Sequence, residues 1–340
     1  MGRRDDARLR ARSCRFFPFS LLHSVRRKEG IHVKLAFLYA GQGSQRAGMG
    51  CDLYEAYPEF RAAFDAANPG FDLRRVCFED PDGVIGLTQY TQPCMVAFAA
   101  GVTAVLSARG VVPAYAAGLS LGEYSALQAA GVFTAKAAVE LAAFRGRAMA
   151  EASAGRPSAM TAVLGLGRES LEQCCREASG AGVVRICNYN CPGQLVIGGD
   201  REAVARAGEL AKAAGARRLL PLRVSGPFHT PLMQPAAQAL ARRFETEVFG
   251  EMRFPVLFNC LGDMKQPEQS IAQLLIRQVC ESVYMEDIIR RLAALGVDTV
   301  IEIGPGQALS GFVAKTVGGA ITCHALSDVP SLEAALSVCA

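Results

Sequence analysis

At 340 residues and 51% apolar side chains, the chain can hold one large domain or two moderate ones around a sizeable core. Its net charge of +4 is uneven: residues 1–32 carry nine Arg/Lys against three Asp/Glu, and from Val33 on 27 basic residues face 29 acidic ones, which removes support for nucleic-acid binding by the body of the chain. No stretch reads as long and apolar enough, without charges, to span a bilayer, and twelve scattered cysteines without paired C-x-x-C elements read as reduced thiols packed as small hydrophobes, so neither membrane nor metal is expected.

The leader, residues 1–32, is Arg-rich and lacks a small-residue cleavage site after its short apolar run. The simplest expectation is that translation begins at Val33 through an alternative start codon, a targeting peptide being the other reading. From Leu35 the order is regular. "KLAFLYAG" predicts a buried strand, and the turn "GQGSQ" follows it. Helices are expected through "YPEFRAAFDAAN" and "TQPCMVAFAAGVTAVLSARG", then a strand at "VVPAYAAG", a turn at Ser120 and another helix. Strands alternating with helices predict a mainly parallel sheet covered on both faces.

Residues 157–225 read differently. Strand "SAMTAVLGL", helix "GRESLEQCCREA", strands "GVVRICNYN" and "GQLVIGGD", helix "REAVARAGELAKAAG" and strand "ARRLLPLRV" give the order β-α-β-β-α-β. That is the split βαβ or ferredoxin-like unit, here inserted between residues 33–156 and 226–340 of a larger domain. Beyond it, "FPVLFN" and "DTVIEIG" are expected to complete the large sheet.

The spacing Gly118-x-Ser120-x-Gly122 is that of a nucleophile elbow, in which glycines flank a serine forced into a tight strand-to-helix turn. A helix-capping serine between turn glycines would give the same letters. A nucleophilic serine needs a base. The four histidines are His23 and His32 in the leader, His324 near the C-terminus, and His229 between Pro227 and Pro231. Prolines restrict the backbone on both sides of His229, which makes it the expected base.

Six motifs in order, "YAGQGSQ", "GLSLGEYSAL", "FRGRAM", "NYNCPGQLVIGG", "SGPFHTPLM" and "IEIGPGQALSGF", resemble the malonyl-CoA:acyl carrier protein transacylases, the acyltransferase family of fatty-acid and polyketide synthesis. The resemblance runs from about Lys34 to about Ala335. It implies an α/β-hydrolase-like large domain with an inserted ferredoxin-like one. It implies that Ser120 carries the malonyl group, that His229 moves the proton, and that the main-chain carbonyl of Gln278 orients the imidazole in place of an acid. The oxyanion hole would be the N–H groups of Gln42 and Leu121, donors typically worth about 3–4 kcal/mol each. Arg145 matches the residue that grips the malonyl carboxylate, a task for which the guanidinium fork is suited. Phe228 matches the malonyl-selecting form of its motif, and Gln92, Asn190 and Gln194 match polar positions of the cleft.

Three departures stand out. Leu119 occupies the place of the family's usual histidine before the serine, Ala40 that of a proline, and "ESVYMEDII" lacks the usual proline and tryptophan. The implied activity is ping-pong malonyl transfer from malonyl-CoA to acyl carrier protein, by a cytoplasmic monomer without cofactor, with Arg217 and Arg218 as docking positions for the acidic carrier. The rivals are a discrete acyltransferase of a polyketide synthase, a serine esterase or thioesterase, and a catalytically idle carrier-binding relative.

Overall fold

The computed structural model describes residues 25–26 and 32–339. The expectation about the leader falls mostly outside them; within them, Val25–Arg26 pairs antiparallel with His32–Val33. Two four-stranded sheets organise the rest. The first is wholly parallel and is built from β1 (Leu35–Tyr39), β2 (Tyr115–Gly118), β7 (Thr299–Ile303) and β8 (Thr322–Leu326), in the order β8-β7-β1-β2. β1 is apolar in every position because both faces are covered, whereas β7 carries the buried Glu302 and β8 the partly covered His324. Leu35, Phe37 and Tyr39 enter the main core on one face, and Ala36 and Leu38 enter a second cluster on the other. Strand β8 was not anticipated from its short, mixed sequence. "FPVLFN" adds less to the sheet than expected: Val256 bridges Ala116 in parallel, and only Leu257–Phe258 forms a regular strand, paired with Asp263–Met264. Pro255 lacks an N–H to extend the ladder.

The second sheet comprises β3 (Ser158–Leu164), β4 (Val184–Cys191), β5 (Gln194–Asp200) and β6 (Arg218–Pro221), antiparallel throughout, in the order β4-β5-β3-β6. Alternation sets its faces. Val163, Ile186 and Ile197 pack beneath the helices Arg168–Ala178 and Arg201–Ala213, while Ala162, Cys187 and Val196 join the main core.

Among the helices, α1 (Pro58–Phe64) packs on α2 (Thr88–Ala108), α3 (Gly122–Ala129) follows the serine turn, and α4 (Ala135–Ser153) lies along α2. By length and composition alone α2 is long and apolar enough to cross a membrane, contrary to the sequence expectation, yet 83% of its most apolar window is buried inside the fold. It is the central helix of the core, and its apolar surface on all sides is what such a position demands. Close approach of α2 and α4 depends on Gly146, where a β-carbon would stand 2.7 Å from the carbonyl oxygen of Thr88. The ten cysteines whose side chains are described are free thiols, seven of them buried.

Candidate active site

The C-terminal ends of β1, β2 and β7 lie in register, Tyr39 beside both Gly118 and Ile303. A parallel sheet presents ligand sites at this edge. Three loops leave it: Gly41–Gln42 after β1, Leu119–Leu121 after β2 and Gly304 after β7. The turn after β2 is tight. A β-carbon on Gly118 would overlap the Gly122 carbonyl, and one on Gly122 would overlap the main-chain oxygen of Tyr39. Between them Ser120 has φ +51°, in the left-handed region that non-glycine residues rarely enter. Leu119 is half-buried against the second core cluster, and its N–H donates to Tyr39 O at 3.0 Å, so the elbow closes with an apolar side chain at this position.

His229 also has a left-handed backbone, with φ +62°. Its N–H donates to Val279 O, and the Thr230 hydroxyl donates to Pro227 O at 2.6 Å, which ties the loop down on both sides. The imidazole bridges two partners: Nδ1 is 2.7 Å from Gln278 O, and Nε2 is 2.7 Å from Ser120 Oγ. A carbonyl only accepts, so Nδ1 carries the proton in the neutral ring, and Nε2 accepts from the serine hydroxyl. Burial, together with the nearby Arg145 charge, pushes the His229 pKa down to about 4, against the opposing pull of the Gln278 carbonyl. The ring is therefore an unprotonated base at neutral pH.

Arg145, on α4, is 1% exposed. Its Nη1 donates to Gln92 Oε1 at 2.9 Å, and Nη2 to Gln278 Oε1 at 2.9 Å and to Ser120 Oγ at 3.2 Å. Its Nε has no partner among the described residues, and none of their carboxylates reaches ion-pair distance of it. The guanidinium lies over the Tyr124 ring, 5.6 Å from its centroid. Burial lowers the arginine's pKa. A buried cation held by two amides, a hydroxyl and an aromatic face, with no carboxylate paired to it among the described residues, is suited to receive an anion.

Ser120, His229, Arg145, Gln92 and Gln278 thus form one hydrogen-bonded group. Gln42 stands at its edge, with its side-chain amide donating to Thr88 Oγ1 at 3.0 Å. Among the described residues, the main-chain N–H groups of Gln42 and Leu121 donate to no protein acceptor. Phe228 is buried in the main core beside Gly226. Asn190 and Gln194 are not hydrogen-bonded to this group. The Asn190 side-chain oxygen is buried without a partner among the described residues, and Gln194 accepts from Lys315 Nζ at 3.1 Å. Arg217 and Arg218 are exposed at β6.

Two participants were not singled out in the sequence. Asn259 is fully buried: its Oδ1 accepts from Ser120 N at 2.6 Å, and its Nδ2 donates to Gly118 O at 2.7 Å. Glu123 accepts from the Asn259 N–H at 2.6 Å, and burial pushes its carboxyl up to about 8, against the opposing effect of that bond and of Arg145. The polar residue ending the apolar run "FPVLFN" was the available signal for Asn259, but nothing local shows that it meets a turn 139 residues earlier.

Residues 36–334 match the acyl transferase domain family. The malonyl CoA-acyl carrier protein transacylase of Bacillus subtilis (strain 168) is 41% identical over 306 residues, which cover 89% of this chain and 96% of that protein. Among solved structures, MCAT from Streptococcus pneumoniae superposes with a TM-score of 0.84 at 44% identity, covering 89% of this chain and 99% of that one. A malonyl-transacylase in complex with its type II PKS acyl-carrier protein gives 0.85 at 39% identity, with the same coverage of both chains. With its parallel sheet, its glycine-flanked serine and this likeness along nearly its whole described length, the chain belongs to the acyl transferase family.

Proposed function

We propose that this protein transfers a malonyl group from malonyl-CoA to the phosphopantetheine thiol of acyl carrier protein, supplying extender units through an ester on Ser120. The observation that carries the reading is the shared hydroxyl: Ser120 Oγ lies 2.7 Å from a neutral imidazole and 3.2 Å from a buried guanidinium that has no counter-ion among the described residues. A base and an anchor for a carboxylate meet at one nucleophile, as a three-carbon acyl group with a free acid requires.

In the first half-reaction the Ser120 hydroxyl gives its proton to His229 Nε2 as the oxygen attacks the thioester carbon. The N–H groups of Gln42 and Leu121 receive the developing oxyanion, and the Arg145 fork holds the distal carboxylate. The imidazolium, stabilised by the Gln278 carbonyl, returns the proton to the departing CoA sulfur. In the second half-reaction the pantetheine thiol yields its proton to His229, its sulfur attacks the ester, and Ser120 leaves and is reprotonated. All of this is acid-base and acyl chemistry on side chains present here, and the reading needs no cofactor.

Phe228, the residue before His229 and buried in the main core, limits room for a branched acyl group; Gln92 and Gln278 orient Arg145; Asn190 and Gln194 serve the outer cleft. We read residues 33–156 and 226–340 as an α/β-hydrolase-like catalytic domain and 157–225 as a ferredoxin-like insert, a reading supported by the β4-β5-β3-β6 strand order. The protein is read as a cytoplasmic monomer whose exposed Arg217 and Arg218 meet the acidic carrier. Service to a polyketide synthase is the second reading, favoured by the relative bound to its type II PKS carrier.

Intact-mass measurement after brief mixing with malonyl-CoA tests the proposal. A malonyl adduct that persists on the wild type, is absent from Ser120→Ala and is discharged by holo-carrier supports it. Rapid release of free malonate without an adduct would indicate a hydrolase instead.

A further inference from the structure

We infer that Asn259 is a positioning residue for the acyl transfer, its side-chain amide holding the nucleophile turn in shape and keeping the Ser120 N–H out of the oxyanion hole. The inference rests on Ser120 being the acyl carrier. Four hydrogen bonds use every polar atom of Asn259. Oδ1 accepts from Ser120 N at 2.6 Å, Nδ2 donates to Gly118 O at 2.7 Å, the main-chain N–H donates to Glu123 Oε2 at 2.6 Å, and the main-chain oxygen accepts from Tyr284 N at 2.9 Å.

The geometry explains the choice of side chain. Next to β2 the neighbouring segment runs in parallel, with Ala116 N donating to Pro255 O and Ala116 bridging Val256. At the serine turn the backbone of β2 swings away, because Ser120 adopts φ +51°. A peptide group of the neighbouring segment cannot follow that swing. The Asn259 amide is a peptide-like donor and acceptor on a short arm, and it satisfies the carbonyl of residue 118 and the N–H of residue 120 together. Gln278 Nε2 and the Glu123 N–H satisfy the Ser120 carbonyl, so both main-chain groups of the nucleophile are fixed. Leu121 N–H then remains as the elbow's donor without an acceptor among the described residues. Without the amide, a buried N–H would be left unpaired and the turn would be free to relax, displacing the hydroxyl from His229.

The test compares wild type with N259A and N259D in single-turnover acylation by malonyl-CoA, alongside the KM for malonyl-CoA and the fraction folded. N259A should acylate Ser120 about 100-fold more slowly per folded molecule, the scale of a misplacement near 1 Å, with KM changed less than about threefold. N259D keeps an acceptor for Ser120 N–H but faces Gly118 O with a carboxylate oxygen, and only its protonated form restores the donor. Its rate relative to wild type should therefore rise about tenfold between about pH 7.5 and about pH 5.5. Glu123, Cys260, Arg145 and His229 also border this region, and the ratio to wild type removes their shared titration. A flat ratio, or N259A acylating at the wild-type rate, overturns the inference. If N259A does not fold, N259D decides alone, since the comparison is made within one protein across pH. Wild type that never forms a Ser120 adduct defeats the functional reading itself, a result distinct from either of these.

Discussion

The main-chain oxygen of Gln278 stands 2.7 Å from Nδ1 of His229, so the base is oriented by a group that no side-chain substitution removes. The Gln278 side chain has separate duties, accepting from Arg145 Nη2 and donating to Ser120 O, both at 2.9 Å. Gln278→Ala should therefore leave the pH dependence of acylation in place while lowering kcat/KM for malonyl-CoA about 10- to 100-fold, the range for a lost hydrogen bond to a charged group. Pre-steady-state rates across pH check this, and a moved acid limb would contradict it.

Arg145 should govern which acyl group is accepted. Arg145→Ala is expected to lose about 3–4 kcal/mol of malonyl transition-state binding, a factor of roughly 150 to 900 in kcat/KM, while acetyl transfer falls far less. Arg145→Lys should recover only part of the loss, because an ammonium supplies charge without the two-pronged geometry. A competition assay with malonyl- and acetyl-CoA reads both.

The acid limb of the free enzyme follows from His229. With its pKa held at about 4, the imidazole stays neutral through pH 5, so acylation of Ser120 should be level there and fall only as pH drops through about 4. After burial, the Arg145 charge is the largest cause of that depression, with Arg185 adding to it. Residual acetyl transfer by Arg145→Ala should accordingly show its acid limb at higher pH, a shift that rapid-quench profiles would register.

Glu123 makes a prediction about stability. Its carboxyl is pushed up to about 8 from an ordinary 4.5, so the folded state retains a proton that the unfolded chain has released. The resulting stabilisation is fully present below about pH 4.5 and is lost as pH rises through about 8. Glu123→Gln keeps an acceptor for the Asn259 N–H but does not titrate. Its melting temperature relative to wild type should therefore climb between pH 5 and pH 8.5, as measured by differential scanning calorimetry.

Much of this site was legible in the sequence because its parts are local patterns. Glycines at 118 and 122 announce a turn with no room for side chains, and prolines at 227 and 231 frame a restrained histidine. The alternation of Leu35, Phe37 and Tyr39 with Ala36 and Leu38 was hidden, since a strand covered on both faces is apolar throughout; only its length and its bounding glycine marked it. What escaped was long-range. The bonds from Asn259 to residues 118 and 120, and from the Gln278 side chain to Arg145 and Ser120, join segments more than 130 residues apart. No periodicity encodes such pairings. Strand β8 escaped for another reason: it is an edge strand, and His324, Cys323 and Ala325 on it are only partly covered.

The nucleophile and its base share one backbone peculiarity, each holding a left-handed α-carbon that suits glycine better than any other residue. Chemistry and durability therefore compete at the same two points of the chain. Variants carrying glycine at 120 or 229 are inert in acyl transfer but shed a local torsional penalty, so a screen that rewards heat tolerance alone would drift toward dead protein.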